Sequence, residues 1–349
     1  MTPVAVFDGH NDTILRLEQW DRIGAPRDLT GPVPEFQIDL PRARLGGFAG
    51  GFFAMFAPSD GFRDPRTEPD DAFATAELSE PEALAHTLAL FAQLRRLARA
   101  HPDQLTICRS ATEIHQAMGE GRIAALPHIE GAECIGPDLA ALEVLHAAGL
   151  RSLGLVWSRT NIFGIGAPMS PATPFDAETG LSDAGRALVA ACNALGIVVD
   201  LSHLNDGGFW DVARISEHPL VATHSNARAL CPSPRNLSDD QLRAIAETGG
   251  VVGLNFHVHY LSTECGAGAD VPLQTMVRHL EHLLGILGED GVALGSDFDG
   301  CTLPVELADV AGLPRLIEAM RAAGFGEALI AKIARENWLS LLDRTGVAA

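Results

Sequence analysis

The chain has 349 residues, of which 47% are hydrophobic and 20% are charged, and this composition is typical of a globular protein. The formal net charge of −20 argues against nucleic acids and anionic membrane surfaces as partners, because both require basic patches on the protein. We therefore expect a small-molecule or peptide substrate, and neither a nucleic-acid nor a membrane partner.

Cysteine usage favours a reducing compartment, and hydropathy argues against a membrane-spanning segment. No run of 18 or more apolar residues occurs, so no transmembrane helix is expected. The first residues lack the basic flank and apolar stretch of a secretory signal, although a processed precursor would look the same. The six cysteines are scattered without a CxxC pair, which indicates reduced thiols. We expect a cytoplasmic protein, with a homodimer as one candidate for its assembled state.

Apolar runs rich in strand-forming residues recur along the chain, and most are followed by a turn and a helical stretch. Eight of them are candidate strands, at residues 4–8, 48–56, 123–130, 152–157, 197–203, 220–224, 251–256 and 292–297. Strands that alternate with helices pair in parallel, and eight such units predict an α/β protein with a closed (β/α)8 TIM barrel. A doubly wound open sheet is the alternative. We expect a single domain over residues 1–349, with an insertion loop near 57–79.

Start and stop signals place helices between these strands. Ser79, Ser182 and Ser238 are predicted N-caps, because each precedes a helical pattern and its hydroxyl can accept a backbone N–H. Ser238 and Gln241 together form a capping-box pattern. Gly196 is a predicted stop, since glycine accepts the left-handed conformation that ends many helices.

Ionisable residues follow several of the apolar runs, at the carboxyl ends of the predicted strands. They are His10, Asp12, Glu130, His203, His224, Asp297 and Asp299. In a barrel these ends meet at one face, which carries the chemistry. Taken singly, each residue has an ordinary explanation, such as a structural hydrogen bond or a helix cap. The complete set at one face favours a metal site.

The spacing of these residues explains how they can share metal ions. His10 and Asp12 are two residues apart in an extended segment and point the same way. His203 and His224 are 21 positions apart, about one βα unit, and are expected on neighbouring strands. Glu130 can reach between the two groups. Imidazole and carboxylate ligands suit Zn²⁺ or a similar divalent ion.

Five ligands are too many for one tetrahedral ion that keeps an open position, and they divide naturally between two ions that share a bridge. A carboxylated lysine bridges the ions in many binuclear barrels. Here the chain has a single lysine, Lys332, on the predicted last helix, so it is not available for that role. Glu130 is therefore the expected bridge.

The remaining histidines give weaker signals. His86, His146, His279 and His282 lie on predicted helices, and we expect them to be partly exposed surface residues. His128 shares a strand and a facing direction with Glu130. It is a candidate for contact with the substrate, and a core or supporting role is the alternative.

Six ordered motifs resemble the membrane dipeptidase (renal dipeptidase) family of zinc peptidases in the amidohydrolase superfamily. They are FDGHND, PHIEGAE, VVDLSHLN, VATHSNAR, SPRNLSDDQL and GVALGSDFDG. The likeness runs from about residue 4 to the C-terminal ENWLSLL, which is nearly the whole chain. It implies a TIM barrel of the metal-dependent hydrolase type and a dipeptidase activity.

The resemblance also implies a binuclear zinc site. His10 and Asp12 would hold one ion, His203 and His224 would hold the other, and Glu130 would bridge them. The two zinc ions would lower the pKa of the water that attacks the peptide carbonyl.

Three further residues match family positions with roles at the substrate. Asp297 matches the general base and acid that moves the proton to the leaving amine. Arg235 matches the arginine that binds the C-terminal carboxylate of the substrate, a role that suits a planar bidentate donor. Tyr260, the only tyrosine in the chain, matches a substrate-contacting tyrosine, with a packing role as the alternative.

One departure from the family concerns the strand at residues 152–157. The best-known members carry a histidine there that helps to stabilise the oxyanion, whereas this chain has Trp157. Tryptophan donates one N–H and carries no charge. Trp157 is kept as a substrate-site candidate, and His128, His257 and Arg159 are candidates to replace the histidine.

The leading hypothesis is a zinc dipeptidase for dipeptides with a free C-terminal carboxylate, with D-residues tolerated at that end. Another amidohydrolase reaction at the same ions, such as N-acyl amino acid or lactone hydrolysis, is the second. A metal-binding scaffold that has lost catalysis is the third. Asp297 argues against the scaffold, because metal storage alone needs no extra carboxylate beside the ions.

Overall fold

The computed structural model describes residues 3–59, 61–62, 64–66, 75–263 and 270–345, and within them it forms the predicted (β/α)8 barrel. The strands are β1 (Val6–Asn11), β2 (Phe48–Phe56), β3 (Leu105–Ile107), β4 (Ile123–Glu130), β5 (Ser152–Gly154), β6 (Val198–Asp200), β7 (Val221–Ala222), β8 (Val251–Leu254) and β9 (Val292–Leu294). Part of the predicted insertion near 57–79, namely residues 60, 63 and 67–74, lies outside the described residues.

Thirteen α-helices lie in the described ranges. They are α1 (Thr13–Arg22), α2 (Leu40–Gly46), α3 (Glu80–Ala100), α4 (Ala111–Gly119), α5 (Ala140–Ala148), α6 (Asp183–Leu195), α7 (Asp206–Ile215), α8 (Asp239–Glu247), α9 (Val258–Leu261), α10 (Leu273–Leu287), α11 (Leu313–Ala322), α12 (Glu327–Ala331) and α13 (Asn337–Arg344). A π-helical segment, Lys332–Glu336, joins the last two. None of the helices in the described part combines the length and apolarity needed to span a membrane.

The strands are parallel and follow the order β1-β2-β4-β5-β6-β7-β8-β9. The short strand β3, which the sequence did not predict, pairs with the first residues of β4 and shares that edge with β5. The ends of the sheet meet where Asp12 N–H donates to the Phe298 carbonyl at 2.8 Å and Asp297 N–H donates to the His10 carbonyl at 3.0 Å. These bonds support a nearly closed barrel and rule out the open sheet.

Several strands are shorter than predicted at their carboxyl ends, and backbone conformation explains this. The predicted strands at 197–203 and 292–297 end in the structure at Asp200 and Leu294. His203 and Asp297, which follow them, have φ values of 69° and 61°. A left-handed residue leaves the extended conformation and interrupts the strand ladder. The chain thus turns out of the sheet where the predicted site residues begin.

Helix signals were mostly confirmed. At α6, Ser182 accepts a backbone N–H from the first turn, and Gly196 ends the helix with a φ of 66°. The predicted capping box of α8 is present in both directions. Ser79 is the N-cap residue of α3, as predicted, but its hydroxyl donates to the Glu82 carboxylate at 2.5 Å and makes no capping hydrogen bond to the backbone.

The barrel interior is apolar below the site residues. Side chains alternate along β4, so Leu126 shares the face of Glu130. Leu126 packs in a buried cluster with Phe52, and with Trp338 of α13. The Trp338 indole N–H donates to the carbonyl of Leu294 at 2.9 Å. An apolar layer therefore fills the barrel below the site, and the polar site residues lie above it at the carboxyl ends of the strands.

His279 is the one histidine whose predicted exposure was wrong. His86, His146 and His282 are partly exposed, as expected, but His279 on α10 is fully buried. Its Nδ1 accepts the Ala227 N–H at 3.3 Å, and its Nε2 lies 3.0 Å from the Leu261 carbonyl oxygen. The side chain points inward because it links two loops at the rim of the barrel.

Candidate active site and metal centre

The predicted metal ligands meet at the carboxyl ends of the strands. His10 and Asp12 lie at the end of β1, Glu130 ends β4, His203 follows β6 and His224 follows β7. All five are buried, and the most exposed of them is only 6% exposed. Asp12, Glu130 and His203 line a cavity of about 40 Å³, which Asp297 also lines. Residues far apart in sequence thus form one compact polar cluster.

Glu130 is the central member of this cluster. Its Oε2 lies 3.6 Å from His10 Nε2. Its Oε1 lies 2.9 Å from His203 Nε2 and 3.7 Å from His224 Nε2. Asp12 is joined to the group through His10, whose Nε2 is 3.5 Å from its Oδ2. The glutamate is therefore in contact with ligand candidates from both predicted halves of the site.

The donor set of this cluster fits divalent metal ions. Ligand atoms of His10, Glu130 and His224 lie within 4.8 Å of one another, as do those of His10, Asp12 and Asp297. Both ring nitrogens of His10 and the Oδ1 of Asp12 are buried without a hydrogen-bond partner in the described residues. Buried polar atoms without a partner are costly, and a bound cation would satisfy Asp12 Oδ1 and the His10 Nε2 that faces Asp12 and Glu130.

The charges of the cluster are strongly coupled. Burial by itself would lower the pKa of His10, but Glu130 and Asp12 hold that pKa well above its ordinary value. Burial would likewise raise the pKa of Glu130, yet His10 and His203 hold it well below its usual range. Burial raises the pKa of Asp12 to about 7. The cavity therefore stabilises negative charge on Glu130 only where positive charge lies beside it.

The other two imidazoles are kept neutral. Burial lowers the pKa of His203 to about 4 and lowers that of His224 well below its ordinary value. The charge of Arg235 acts in the same direction on both. Their Nδ1 atoms face hydroxyls, with Ser158 Oγ 2.9 Å from His203 and Thr223 Oγ1 2.8 Å from His224. Neutral imidazole is the form that binds metal.

Asp297 lies at the rim of this cluster and is less buried than the five ligand candidates. Asn255, which follows β8, donates its side-chain N–H to Asp297 Oδ2 at 2.9 Å. Asn255 was not among the predicted site residues, although it follows an apolar run in the same way as the predicted ligands. Gly300 was also missed, and a Cβ there would lie 2.1 Å from Asp12 Oδ2. A larger residue at this position would therefore displace the Asp12 carboxylate.

Arg235 and Tyr260 form a pair beside the cluster. The guanidinium carbon of Arg235 lies 5.5 Å from the centre of the Tyr260 ring, and Tyr260 lines the site cavity. Arg235 is only 3% exposed. Its Nε and Nη2 have no hydrogen-bond partner in the described part of the chain. A buried cation with unpaired donors therefore contacts a residue of the site cavity, although Arg235 is not itself among the residues that line that cavity.

A second, larger cavity adjoins the first. Its volume is about 570 Å³, and it shares Met169, His257 and Tyr260 with the site cavity. Cys231, Ser233 and other residues of the loop after β7 also line it. The two cavities together provide far more room than the small space beside Glu130.

Trp157 lines the site cavity, as the sequence motif suggested for this position. Its ring centre lies 4.8 Å from that of Phe56 and 5.9 Å from that of His203. The indole therefore forms an apolar wall beside the ligand candidates. Phe56, which also lines the cavity, was not identified from the sequence.

The three candidates to replace the family histidine occupy different places. His257 lines both cavities. His128 is fully buried with its Nδ1 2.9 Å from Ser152 Oγ, and it is not among the residues that line the site cavity. Arg159 binds the Glu133 carboxylate at 2.9 Å and the Ala57 carbonyl at 2.7 Å, so its guanidinium is engaged in holding loops together.

Comparisons with known proteins agree with this geometry. The family model described as "Membrane dipeptidase (Peptidase family M19)" matches residues 1–348. The chain is 48% identical over 250 residues to the "Uncharacterized protein in pqqA 5'region" of Klebsiella pneumoniae, which covers 71% of this chain and 92% of that protein.

Two solved structures are similar over almost the full length. One is a metallo peptidase from Rhodobacter sphaeroides liganded with a phosphinate mimic of the dipeptide L-Ala-D-Ala, with a TM-score of 0.88, 46% identity, and coverage of 98% of this chain and 99% of that one. The other is dipeptidase AC, with a TM-score of 0.90, 46% identity and complete coverage of both chains.

The family match, the barrel and the buried cluster of imidazoles and carboxylates support one assignment. The match extends over nearly all of the chain, including each motif that carries a candidate ligand. The chain therefore belongs to the membrane dipeptidase family, peptidase family M19, and is a metal-dependent dipeptidase of that family.

Proposed function

We propose that this dipeptidase uses two zinc ions and cleaves dipeptides that carry a free C-terminal carboxylate, including dipeptides with a D-residue at that end. The observation that carries the proposal is the buried guanidinium of Arg235, which has unpaired donors and lies 5.5 Å from the ring of Tyr260, a residue that lines the cavity of the metal-ligand candidates. A free carboxylate is the group that best matches such a planar, charged donor.

His10, Asp12, Glu130, His203 and His224 would hold the two zinc ions, with Glu130 between them. The contacts of Glu130 with His10, His203 and His224 support this bridging role. When bound, the ions supply an activated water and polarise the scissile carbonyl.

Asp297 would move the proton during cleavage. Its carboxylate lines the site cavity, and Asn255 fixes one of its oxygens through a hydrogen bond at 2.9 Å. The other oxygen is then positioned to accept a proton from the attacking water and to deliver it to the leaving amine. This is general base and acid catalysis by one side chain, and it needs a carboxylate that is oriented within the cavity.

Arg235 and Tyr260 would bind the C-terminal end of the substrate. A carboxylate at Arg235 places the adjoining residue near Tyr260, next to the larger cavity. That cavity has room for the side chain of this residue. The R. sphaeroides metallo peptidase, 46% identical to this chain, binds a mimic of L-Ala-D-Ala, which supports acceptance of a D-residue at this position here.

The carboxylate role of Arg235 is tested by comparing dipeptides with their C-terminal amides. We expect wild type to prefer the free acid, and Arg235→Ala to lose most of that preference through a large fall in kcat/KM on the acid. Hydrogen bonds to charged groups contribute about 1.5–3 kcal/mol each, which corresponds to roughly a 10- to 150-fold effect. Arg235→Lys is the matched control, since it keeps the charge but lacks the planar fork.

Turnover of L-Ala-D-Ala against L-Ala-L-Ala, with metal analysis of the same sample, tests the remaining parts of the proposal. Two zinc ions per chain and measurable cleavage of both dipeptides are expected. An Arg235→Ala variant that retains the preference for the free acid contradicts the carboxylate role. N-acyl amino acids and lactones belong in the same screen, and faster turnover of either class would replace the dipeptide proposal.

A further inference from the structure

Behind the metal-ligand candidates lies a buried chain of hydrogen bonds that no part of the proposed mechanism uses. It begins at Asp200, the last residue of β6, passes through Thr223 and ends at the ring of His224. Asp200 is 2% exposed, Thr223 is fully buried and His224 is 1% exposed. Neither Asp200 nor Thr223 lines the site cavity.

The direction of each hydrogen bond in this chain follows from the chemistry of its groups. Thr223 Oγ1 lies 2.5 Å from Asp200 Oδ2 and 2.8 Å from His224 Nδ1. A carboxylate only accepts, so the single hydrogen of the hydroxyl is donated to Asp200. The hydroxyl oxygen then accepts from His224, which places the ring hydrogen on Nδ1. His224 Nε2 is left with its lone pair, on the side that faces Glu130 and His203.

Two backbone groups hold Asp200 in this orientation. Its Oδ1 accepts the N–H of Ser202 at 3.0 Å and the N–H of Thr223 at 2.8 Å. Its Oδ2 is therefore turned toward the threonine hydroxyl, with His128 Nε2 3.6 Å away. The Ser202 hydroxyl is 3.5 Å from Thr223 Oγ1 and is a much weaker competitor for it.

We propose that Asp200 and Thr223 are positioning residues for metal binding, which hold His224 in the tautomer that offers Nε2 as a ligand. The inference rests on the metal centre proposed above, because it takes His224 to be a ligand. Partners on the second nitrogen of a metal-binding histidine orient the ring and select its tautomer, and their loss typically costs about 10- to 100-fold in metal affinity.

The substitution Asp200→Asn should reverse the direction of the hydrogen bonds that run from residue 200 through Thr223 to His224. The backbone donors of Ser202 and Thr223 require an acceptor, so the amide oxygen takes the place of Oδ1 and the NH₂ group takes the place of Oδ2. That NH₂ group donates to Thr223, whose hydroxyl must then donate to His224 Nδ1. The ring hydrogen moves to Nε2, where it blocks metal binding with little change in shape.

Zinc affinity, measured by competition with a chromophoric chelator, is the first readout. We expect Asp200→Asn and Thr223→Val each to weaken binding of one zinc ion by about 10- to 100-fold. Thr223→Ser keeps the hydroxyl and is the matched control, with affinity close to that of wild type. Because the two residues act in one chain, adding Asp200→Asn to Thr223→Val should produce little further loss.

The ¹⁵N chemical shifts of His224 in metal-free protein are the second readout, and a merely structural role would not change them. We expect the ring hydrogen on Nδ1 in wild type and on Nε2 in Asp200→Asn. Independent, additive losses or an unchanged tautomer in Asp200→Asn overturn the inference. Failure of wild type to bind zinc overturns the metal centre itself, whereas wild-type affinity in Asp200→Asn overturns only the positioning role.

Discussion

Asp297 and Glu130 are both carboxylates at strand ends, and their surroundings differ in a way that fits the different roles proposed for them. Glu130 lies within 3.7 Å of three imidazoles, and those neighbours hold its pKa well below the usual range. Asp297 is less buried and accepts a hydrogen bond from the Asn255 amide. The first environment suits a charged metal ligand, and the second suits a carboxylate that is oriented within the cavity.

Asp297→Asn should therefore keep both metal ions and lose most of kcat. The amide cannot accept a proton from water, and a positioned general base contributes about 10²- to 10⁴-fold to the rate. Steady-state kinetics with metal analysis of the same preparation checks this. Asp297 also lies within ligand distance of His10 and Asp12, so loss of an ion from the variant would reassign it as a ligand.

Glu130→Gln should lose metal, because an amide cannot provide the two anionic oxygens with which Glu130 would bridge the proposed metal ions. Zinc content after dialysis is the measurement, and we expect less than the two ions per chain proposed for wild type. Glu133→Gln is a matched control, since that carboxylate follows Glu130 closely in sequence but binds Arg159. Equal zinc content in wild type and Glu130→Gln would contradict the bridge.

At the scale of elements, α10 is joined to the rim of the barrel through one side chain. His279 Nδ1 accepts the Ala227 N–H, and His279 Nε2 lies at hydrogen-bond distance from the Leu261 carbonyl. The neutral ring therefore provides a partner for one backbone group in each of the two loops. Protonation would place a hydrogen on Nδ1 against the Ala227 N–H. Burial lowers the pKa of His279 to about 4. The helix and the two loops are therefore coupled through a neutral imidazole.

This arrangement predicts a loss of stability in acid. His279 has a lower pKa in the folded protein than in the unfolded chain, so its contribution is complete above about pH 6.5 and is lost as the pH falls toward 4. The loss amounts to about 3 kcal/mol in the free energy of unfolding at the acid end of this window. Urea unfolding of metal-free protein at pH 7 and pH 4.5 measures it.

His279→Gln provides the comparison for that measurement, because glutamine can donate and accept but does not titrate in this range. The variant should be less stable than wild type at pH 7, and the difference should become smaller at pH 4.5. The same pH dependence in both proteins would show that His279 does not contribute to it. The other buried histidines titrate equally in the two proteins and cancel in the difference.

At the scale of the whole molecule, the barrel brings together charged groups that are costly to bury alone. Burial raises the pKa of Asp12 to about 7, and it raises the pKa of Asp8 on β1 to about 7 as well. Both values show that the interior resists negative charge unless positive charge accompanies it. Bound metal ions would supply that charge at the site, whereas Asp8 relies on two hydrogen bonds from Ser296.

Removal of metal should therefore destabilise the protein as a whole. A ligand that binds only the folded state adds about 4 kcal/mol of stability when its free concentration is 1,000 times its Kd. We expect a chelator to lower Tm by several degrees and added zinc to restore it, measured by thermal unfolding. A variant that lacks His10 and His203 should show no response, and an unchanged Tm in chelated wild type would contradict a metal centre of this kind.

The sequence determined the barrel and the location of the site because both follow from local patterns. Apolar runs that alternate with capped helices define parallel strands, and parallel strands bring their carboxyl ends to one face. His10, Glu130 and His224 could be expected together for this reason. The absence of a lysine near any strand end favoured Glu130 as the bridging residue, and the contacts of Glu130 with His10 and His203 support that proposal.

Only the tertiary structure decided which side chains are free to act. Arg159 and Arg235 are both arginines near the site, yet Arg159 is bound by Glu133 and backbone oxygens while two nitrogens of Arg235 have no partner in the described residues. The buried contacts of His279 were likewise not apparent from the sequence. The same is true of the hydrogen bonds that join Asp200, Thr223 and His224. These hydrogen bonds join residues far apart along the chain, so distance and direction in space determine their chemistry.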